Sequence, residues 1–306
     1  MARDQKRAQD YKDPMARRLL GMAADVLRSF GSAFGGKHLA IIGGAVPSLM
    51  VPEVAAGMVA HVGTADLDLH LSLHLLDGQT AEYYDAIIDG LRSLKLEPDR
   101  RDGKEIKWRW VGSHRGAALQ VELLCPLRDR GGKPEAPAEG TPAEVNIGPT
   151  KEITALAVGF GYLVPDDTIK VSRRVEASGG ELSYEFPVAG LTSWLCLKAD
   201  AVMRRDKPKD AYDIVWLLTA LGPDEAAKTV AASKLLGGPH RPAVIQELEL
   251  LIADQFRDID SIGPRSYATF LEASPGDRER RHAVATVSAF GVALKTAGVN
   301  LKLGSE

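Results

Sequence analysis

The sequence predicts an α/β domain followed by a helical one, and three observations carry that expectation. In the first part of the chain, stretches with helical spacing of apolar residues take turns with stretches that alternate apolar and polar residue by residue. From residue 191 onward the spacing is helical almost throughout. Finally, 306 residues with 45% hydrophobic and 26% charged side chains match soluble globular proteins and exclude a disordered, collagenous or coiled-coil chain. At roughly 100–200 residues per domain this length suits two domains. The boundary is placed between residues 1–190 and 191–306.

The elements follow in order. Leu19, Met22, Ala23, Val26 and Leu27 share one helical face, so residues 15–30 open the fold as an amphipathic helix. The short apolar run from His38 to Ile42 suits a buried strand, stopped by the Gly43-Gly44 turn, with a short helix from Pro47. Residues 66–74 alternate strictly: Leu67, Leu69, Leu71 and Leu73 point one way, and Asp66, Asp68, His70, Ser72 and His74 the other. Tyr84, Ile87, Ile88, Leu91 and Leu94 make residues 80–96 a helix, closed by Pro98. Strands over 106–111 and 117–124, joined by residues 112–116, form a hairpin. Residues 128–143 are rich in Gly, Pro and charge and read as a loop or flexible insertion, and 144–190 as short strands and turns. Helices are expected over 191–205, 208–221, 223–236, 241–256 and 278–296.

Charge and cysteine content narrow the function. Lys plus Arg number 38 against 41 for Asp plus Glu, a net of −3, so contact with a polyanion must come from a local patch. Two cysteines, Cys125 and Cys196, both in apolar surroundings, make no disulfide framework and read as core residues in a reducing compartment. The charged start, Met1 to Arg7, has no apolar run behind it, so no secretory signal is expected. Residues 39–60 carry only one charge, Glu53, yet Pro47, Pro52 and three glycines break them into strand, turn and helix rather than a membrane span. A cytoplasmic protein with no membrane partner is the expectation.

Two clusters carry chemistry. Asp66 and Asp68, two apart on a strand, project from one face and can share a hard cation, which also removes their mutual repulsion. Glu122 is the lone charge in an apolar strand, where an unpaired carboxylate is costly, and a neighbouring strand could bring it to the same ion. The bland alternative is a solvated strand face. In the second cluster Lys198 and Arg205 are seven apart, two helical turns, and Pro208 then starts a new helix with Lys209 and Asp210 in its first turn and Asp213 one turn later. Positive charge beside two carboxylates suits triphosphate oxygens and an acid that positions a lysine or accepts a proton; the alternative is an exposed salt-bridged corner. His70 and His74 share the acidic face but complete no transition-metal ligand set. Ser48 lacks a nucleophile-elbow motif, and the glycine turn matches neither a P-loop nor a dinucleotide fingerprint. Trp108 and Trp110, alternating with Lys107 and Arg109, are either a base-stacking platform or core packing.

Ile42-Gly43-Gly44, then Gly63-Thr64-Ala65-Asp66-Leu67-Asp68, then Val121-Glu122-Leu123-Leu124, then Lys198, Arg205, Lys209-Asp210 and Asp213, taken in that order, resemble the AbiEii nucleotidyltransferase toxin family of the DNA polymerase beta-like superfamily. The resemblance spans about residues 38–218. It implies a nucleotidyltransferase-fold mixed sheet with flanking helices over 1–190 and a helical domain over 191–306 that contributes Lys and Asp to the active site. It further implies nucleotide binding by Gly43, Gly44, Thr64, Lys198, Arg205 and Lys209. Mg²⁺, or Mn²⁺, would be held by Asp66, Asp68 and Glu122, and catalysis would involve Asp66, Asp68, Lys198 and Asp213, with Asp210 as helper. Two positions depart from the pattern: Val62 stands where the family usually has Arg, and Gly44 where the wider superfamily commonly has Ser.

The expected activity is transfer of an NMP from an NTP to an acceptor hydroxyl with release of pyrophosphate. The resemblance implies that the acceptor is the 3′ end of tRNA, that the protein is a toxin or phage-defence effector, and that a cognate antitoxin accompanies it. Arg173, Arg174, Arg204, Arg205, Lys207 and Lys209 are the candidate RNA contacts. The same chemistry on a small molecule or a protein hydroxyl, and a non-catalytic binding module on this scaffold, remain the alternatives.

Overall fold

In a computed structural model of the chain, the described residues are 7–11, 15–31, 38–72, 81–127, 144–147, 152–205, 207–272 and 277–303, without the side chains of 15–17 and 81–83. The expected loop at 128–143 and His74 lie outside them. Two compact units divide the chain. One comprises Pro14–Leu49 and Gly63–Ala189, the other the described parts of Met1–Asp13, Met50–Val62 and Gly190–Glu306.

The first unit is mixed α/β. Its sheet strands are β1 (Leu39–Ile42), β2 (Asp66–Leu71), β3 (Leu96–Arg101), β4 (Lys104–His114), β5 (Ala117–Pro126), β6 (Glu144–Asn146), β7 (Thr154–Val158), β8 (Thr168–Ala177) and β9 (Gly180–Ala189). Among the described residues these make one sheet in the order β3-β4-β5-β2-β1-β9-β8, with β7 continuing beside the end of β5 and β6 beside β7. The pairing β2/β5 is parallel and β4/β5 antiparallel, so β2 and β4 flank β5 in register. Helices α1 (Met15–Ser29), α2 (Val46–Met50) and α3 (Ala81–Ser93) complete the unit, α1 packing on β8 and α3. The Leu face of β2 is the core: Leu67, Leu69 and Leu71 are buried with Val121 and Leu123 of β5.

The second unit is helical: α4 (Leu191–Arg204), α5 (Lys209–Leu221), α6 (Pro223–Ala231), α7 (Arg241–Leu250), α8 (Ile262–Phe270) and α9 (Arg278–Thr296). A π-turn at Leu251–Gln255 extends α7, so the single helix expected over 241–256 is continuous but changes its winding. Segment 50–62 belongs with these helices, and the Trp216 indole N–H donates to the Val59 carbonyl at 2.9 Å. No helix among the described residues is long and apolar enough to cross a membrane.

Several expectations need correcting. Pro98 does not merely end a helix; it lies in β3, an edge strand, where a sheet tolerates proline. Strand β4 runs on through His114, leaving only Arg115-Gly116 as the turn, because Gly116 takes the positive φ of 73° that a tight turn requires. Residues 168–189, expected as short pieces, form a ten-residue-by-ten-residue hairpin, β8/β9. Helix α8 has no counterpart in the sequence reading, since its Gly-Pro start hides the helical period.

Candidate active site

The α/β unit gathers acids on one sheet face. Strand side chains alternate, so Asp66 and Asp68 emerge together on the face opposite the buried leucines. The parallel register sets Asp68 opposite Glu122 and Asp66 opposite Gln120. One oxygen from each of Asp66, Asp68 and Glu122 then lies within 4.8 Å of the others. Three carboxylates at this spacing repel when ionised, and an all-oxygen donor set suits a hard divalent ion such as Mg²⁺ or Mn²⁺. His70, on the same strand, is fully buried beside Gly161 rather than in the cluster, and burial pushes its imidazole down to about 3.

Neighbouring residues shape this cluster. The Thr64 hydroxyl donates to Asp66 Oδ1. Gly43 has a φ of +72°, and a Cβ built there would overlap the Asp68 carboxylate. Glycine is therefore needed twice over, for its backbone conformation and for the close approach of an acid. Glu122 Oε1 accepts from Arg109 Nη2 at 2.8 Å and from Gln120 Nε2 at 2.8 Å. Arg109 also faces Asp99, at 3.7 Å, and lies 4.7 Å from the centre of the Trp108 ring. It sits opposite Glu122 in the β4/β5 ladder, beside a register break in the β3/β4 pairing between Pro98 and Asp99. From the sequence, Arg109 figures only beside Trp108 and Trp110, and Gln120 has no role. The alternation Trp-Arg-Trp, which turns the arginine away from the buried Trp110, was the available signal.

The helical unit holds a different cluster. Lys198 on α4 donates from Nζ to Asp210 Oδ1 at 2.6 Å and to Asp213 Oδ2 at 2.7 Å, both on α5. Lys209 Nζ donates to Asp213 Oδ1 at 2.6 Å, an i,i+4 pair on one helix face. His61, from segment 50–62, places Nε2 3.0 Å from the same Oδ1. Burial by itself would push the Asp213 carboxyl up, but the Lys198 and Lys209 ammoniums overcome it and hold the carboxyl well below the usual range. Asp210 is held down likewise by Lys198 and Arg205 against its burial. Burial would lower the Lys198 ammonium, yet Asp210 and Asp213 raise it above its ordinary value. Two lysines therefore balance two aspartates inside the unit.

The other candidates are placed as follows. Helix α4 ends at Arg204, so Arg205 leaves the face it was expected to share with Lys198 and stands exposed in extended backbone. Its charge still acts on Asp210. Gly44 is buried in the 3-10 turn after β1. Arg173, a candidate RNA contact, donates instead to the Leu49 carbonyl at the end of α2 and to the Ser172 carbonyl. Arg174, Arg204 and Lys207 are exposed. Trp110 is core and Trp108 half-buried, while both cysteines are buried and unbridged.

Comparison with protein families matches residues 27–294 to a model described as nucleotidyl transferase AbiEii toxin, type IV TA system. Among solved structures, an antigenic nucleotidyltransferase-like protein from Paracoccidioides brasiliensis is 13% identical, with a TM-score of 0.35, over 77% of this chain and 94% of that one. A comparison with curated proteins found no match.

Proposed function

The chain belongs to the AbiEii nucleotidyl transferase toxin family of type IV toxin–antitoxin systems, and on that premise we propose that it transfers an NMP from an NTP to the 3′ end of tRNA, so blocking aminoacylation. The observation that supports this reading is the trio Asp66, Asp68 and Glu122, with one oxygen of each within 4.8 Å of the others. These three would hold Mg²⁺, or Mn²⁺ in its place. When bound, the ion neutralises phosphate charge and favours ionisation of the attacking hydroxyl.

The chain's own residues divide the remaining work. Thr64 steers Asp66 through its hydroxyl, and the Gly43-Gly44 turn, which abuts the Asp68 carboxylate, is assigned to the triphosphate as well. Lys198, Arg205 and Lys209 are assigned to the triphosphate, and Asp213, with Asp210, orients the two lysines. The acceptor oxygen forms its bond to the α-phosphorus as the bond to the β-bridging oxygen breaks. Pyrophosphate leaves, and the hydroxyl proton passes to the carboxylate cluster. RNA would be held through exposed cations such as Arg174, Arg204 and Lys207, in a cytoplasmic protein restrained by its antitoxin, with phage defence as the setting.

The test is incorporation of each of four α-labelled NTPs into total tRNA, with and without Mg²⁺, by wild type and Asp66→Ala. Label on RNA from wild type alone, in the presence of the ion, supports the proposal. Mg²⁺-dependent NTP binding with no labelled RNA would move the acceptor to a small molecule or a protein hydroxyl. An absence of both would leave a non-catalytic module.

A further inference from the structure

His61 is one of the most deeply buried polar side chains in the helical unit, only 2% exposed, and the family pattern assigns it nothing. It comes from segment 50–62, and one face of α5 receives it. Tyr212 stacks on its ring at 5.3 Å and an interplanar angle of 25°, and Trp216 meets the ring edge at 4.8 Å. The Tyr212 hydroxyl accepts from the Val62 backbone N–H at 3.3 Å. With Trp216 donating to the Val59 carbonyl, Val59, His61 and Val62 are fastened to Trp216, Asp213 and Tyr212 respectively. That much anchoring fixes the direction in which the His61 ring points.

The ring points at an oxygen that already has another donor. Asp213 Oδ1 accepts from Lys209 and faces His61 Nε2, while Oδ2 accepts from Lys198. The two lysines and two aspartates cancel in charge, so a protonated imidazole would add an unbalanced cation. Burial, with Lys209 and Lys198 nearby, pushes the imidazole down to about 4 even though Asp213 opposes this. At neutral pH the ring is therefore neutral, and its polar contact with a carboxylate requires the proton on Nε2.

We infer that His61 is a positioning residue: its Nε2–H holds the Asp213 carboxylate in place when a triphosphate draws Lys198 or Lys209 away from it. The inference rests on the proposed use of those lysines in NTP binding. The physical reason is that a buried carboxylate stripped of one ammonium needs a donor that does not leave with the ligand. A neutral donor meets this need without competing for the phosphates. Thr64 stands to Asp66 as His61 stands to Asp213: a short, uncharged donor that orients an acid.

The experiment compares wild type, His61→Phe and His61→Gln in Mg·NTP affinity by equilibrium dialysis, in KM and kcat for transfer, and in urea stability. Phe keeps the ring and its stacking but loses the donor; Gln places an amide N–H near the position of Nε2. The expected result is a 5- to 20-fold loss of NTP affinity and a matching rise in KM for His61→Phe, most of it recovered in His61→Gln. Equal NTP affinity in wild type and His61→Phe overturns the inference, as does a His61→Gln protein that is folded but as weak as His61→Phe. Should His61→Phe fail to fold, ¹⁵N NMR of wild type decides: an Nε2–H tautomer at pH 7 is required, and an Nδ1–H tautomer overturns the inference. A wild-type protein that binds no Mg·NTP would instead overturn the proposed function, and this inference with it.

Discussion

The two charged clusters of this molecule are built on opposite principles. On the sheet, Asp66, Asp68 and Glu122 bring three carboxylates together, and Arg109 reaches Glu122. Among the helices, Lys198 and Lys209 neutralise Asp210 and Asp213 inside the fold, with His61 as an uncharged fifth member. The first arrangement gathers like charges whose repulsion a bound cation would relieve; the second pairs its lysines and aspartates with one another. Folding stability should therefore depend more on the second cluster, and binding of a divalent cation on the first.

The largest effect that would break this contrast is on activity. Asp66→Ala should lower transfer at least about a thousandfold, equivalent to about 4 kcal/mol, and abolish Mn²⁺ binding measured by EPR. Because a repelling charge is removed, its melting temperature should stay level or rise. A variant that melts well below wild type would show that the acid trio is structural after all.

Asp213→Ala should behave in the reverse sense. Removing Asp213 takes the carboxylate from Lys209 and one of the two from Lys198, and breaking a buried ion network typically costs about 3–5 kcal/mol, readable in urea. Asp213 and Asp210 are held below their ordinary carboxylate value of 3.8. Their contribution is therefore present above that pH and lost as pH falls through the folded-state values. A wild-type protein whose stability did not fall below pH 4 would contradict the self-balanced picture.

Glu247 on α7 sharpens the comparison, since it is an acid buried in the same helical unit without such neutralisation. Burial first, and Asp200 second, push it from 4.5 to about 7. A raised carboxyl contributes stability that is full below 4.5 and lost as pH rises through 7, in total up to about 3 kcal/mol. Glu247→Gln should match wild type near pH 4.5 and exceed it in urea resistance above pH 7. A difference that did not grow with pH would remove Glu247 from this account.

Gly43→Ala is the mildest test. The positive φ costs an alanine about 1–2 kcal/mol, and its Cβ must displace the Asp68 carboxylate. Stability should fall by that amount, while Mn²⁺ affinity falls about tenfold or more. Unchanged Mn²⁺ affinity would mean that Asp68 has room to move and that the glycine serves the turn alone.

Much of this is legible in the sequence. The β2 alternation placed Asp66 and Asp68 together, and the Pro208 break separated α4 from α5 and set Lys209, Asp210 and Asp213 on one short helix. Arg205 was misplaced because a spacing of seven predicts a shared face only while the helix lasts, and α4 ends one residue short. His61 left no trace, being a single histidine in a segment without periodicity.

The sequence by itself determined which side chains share a face within one element, because strand and helix periods are local properties of the backbone. It also carried the ordered residues, from Ile42 to Asp213, on which the resemblance to the family rests. Only the tertiary structure decided that Glu122 stands opposite Asp68, that Arg109 stands opposite Glu122, and that His61 meets Asp213. Each of those depends on register or packing between segments far apart in the chain, where a shift of one residue would turn the side chain to the other face.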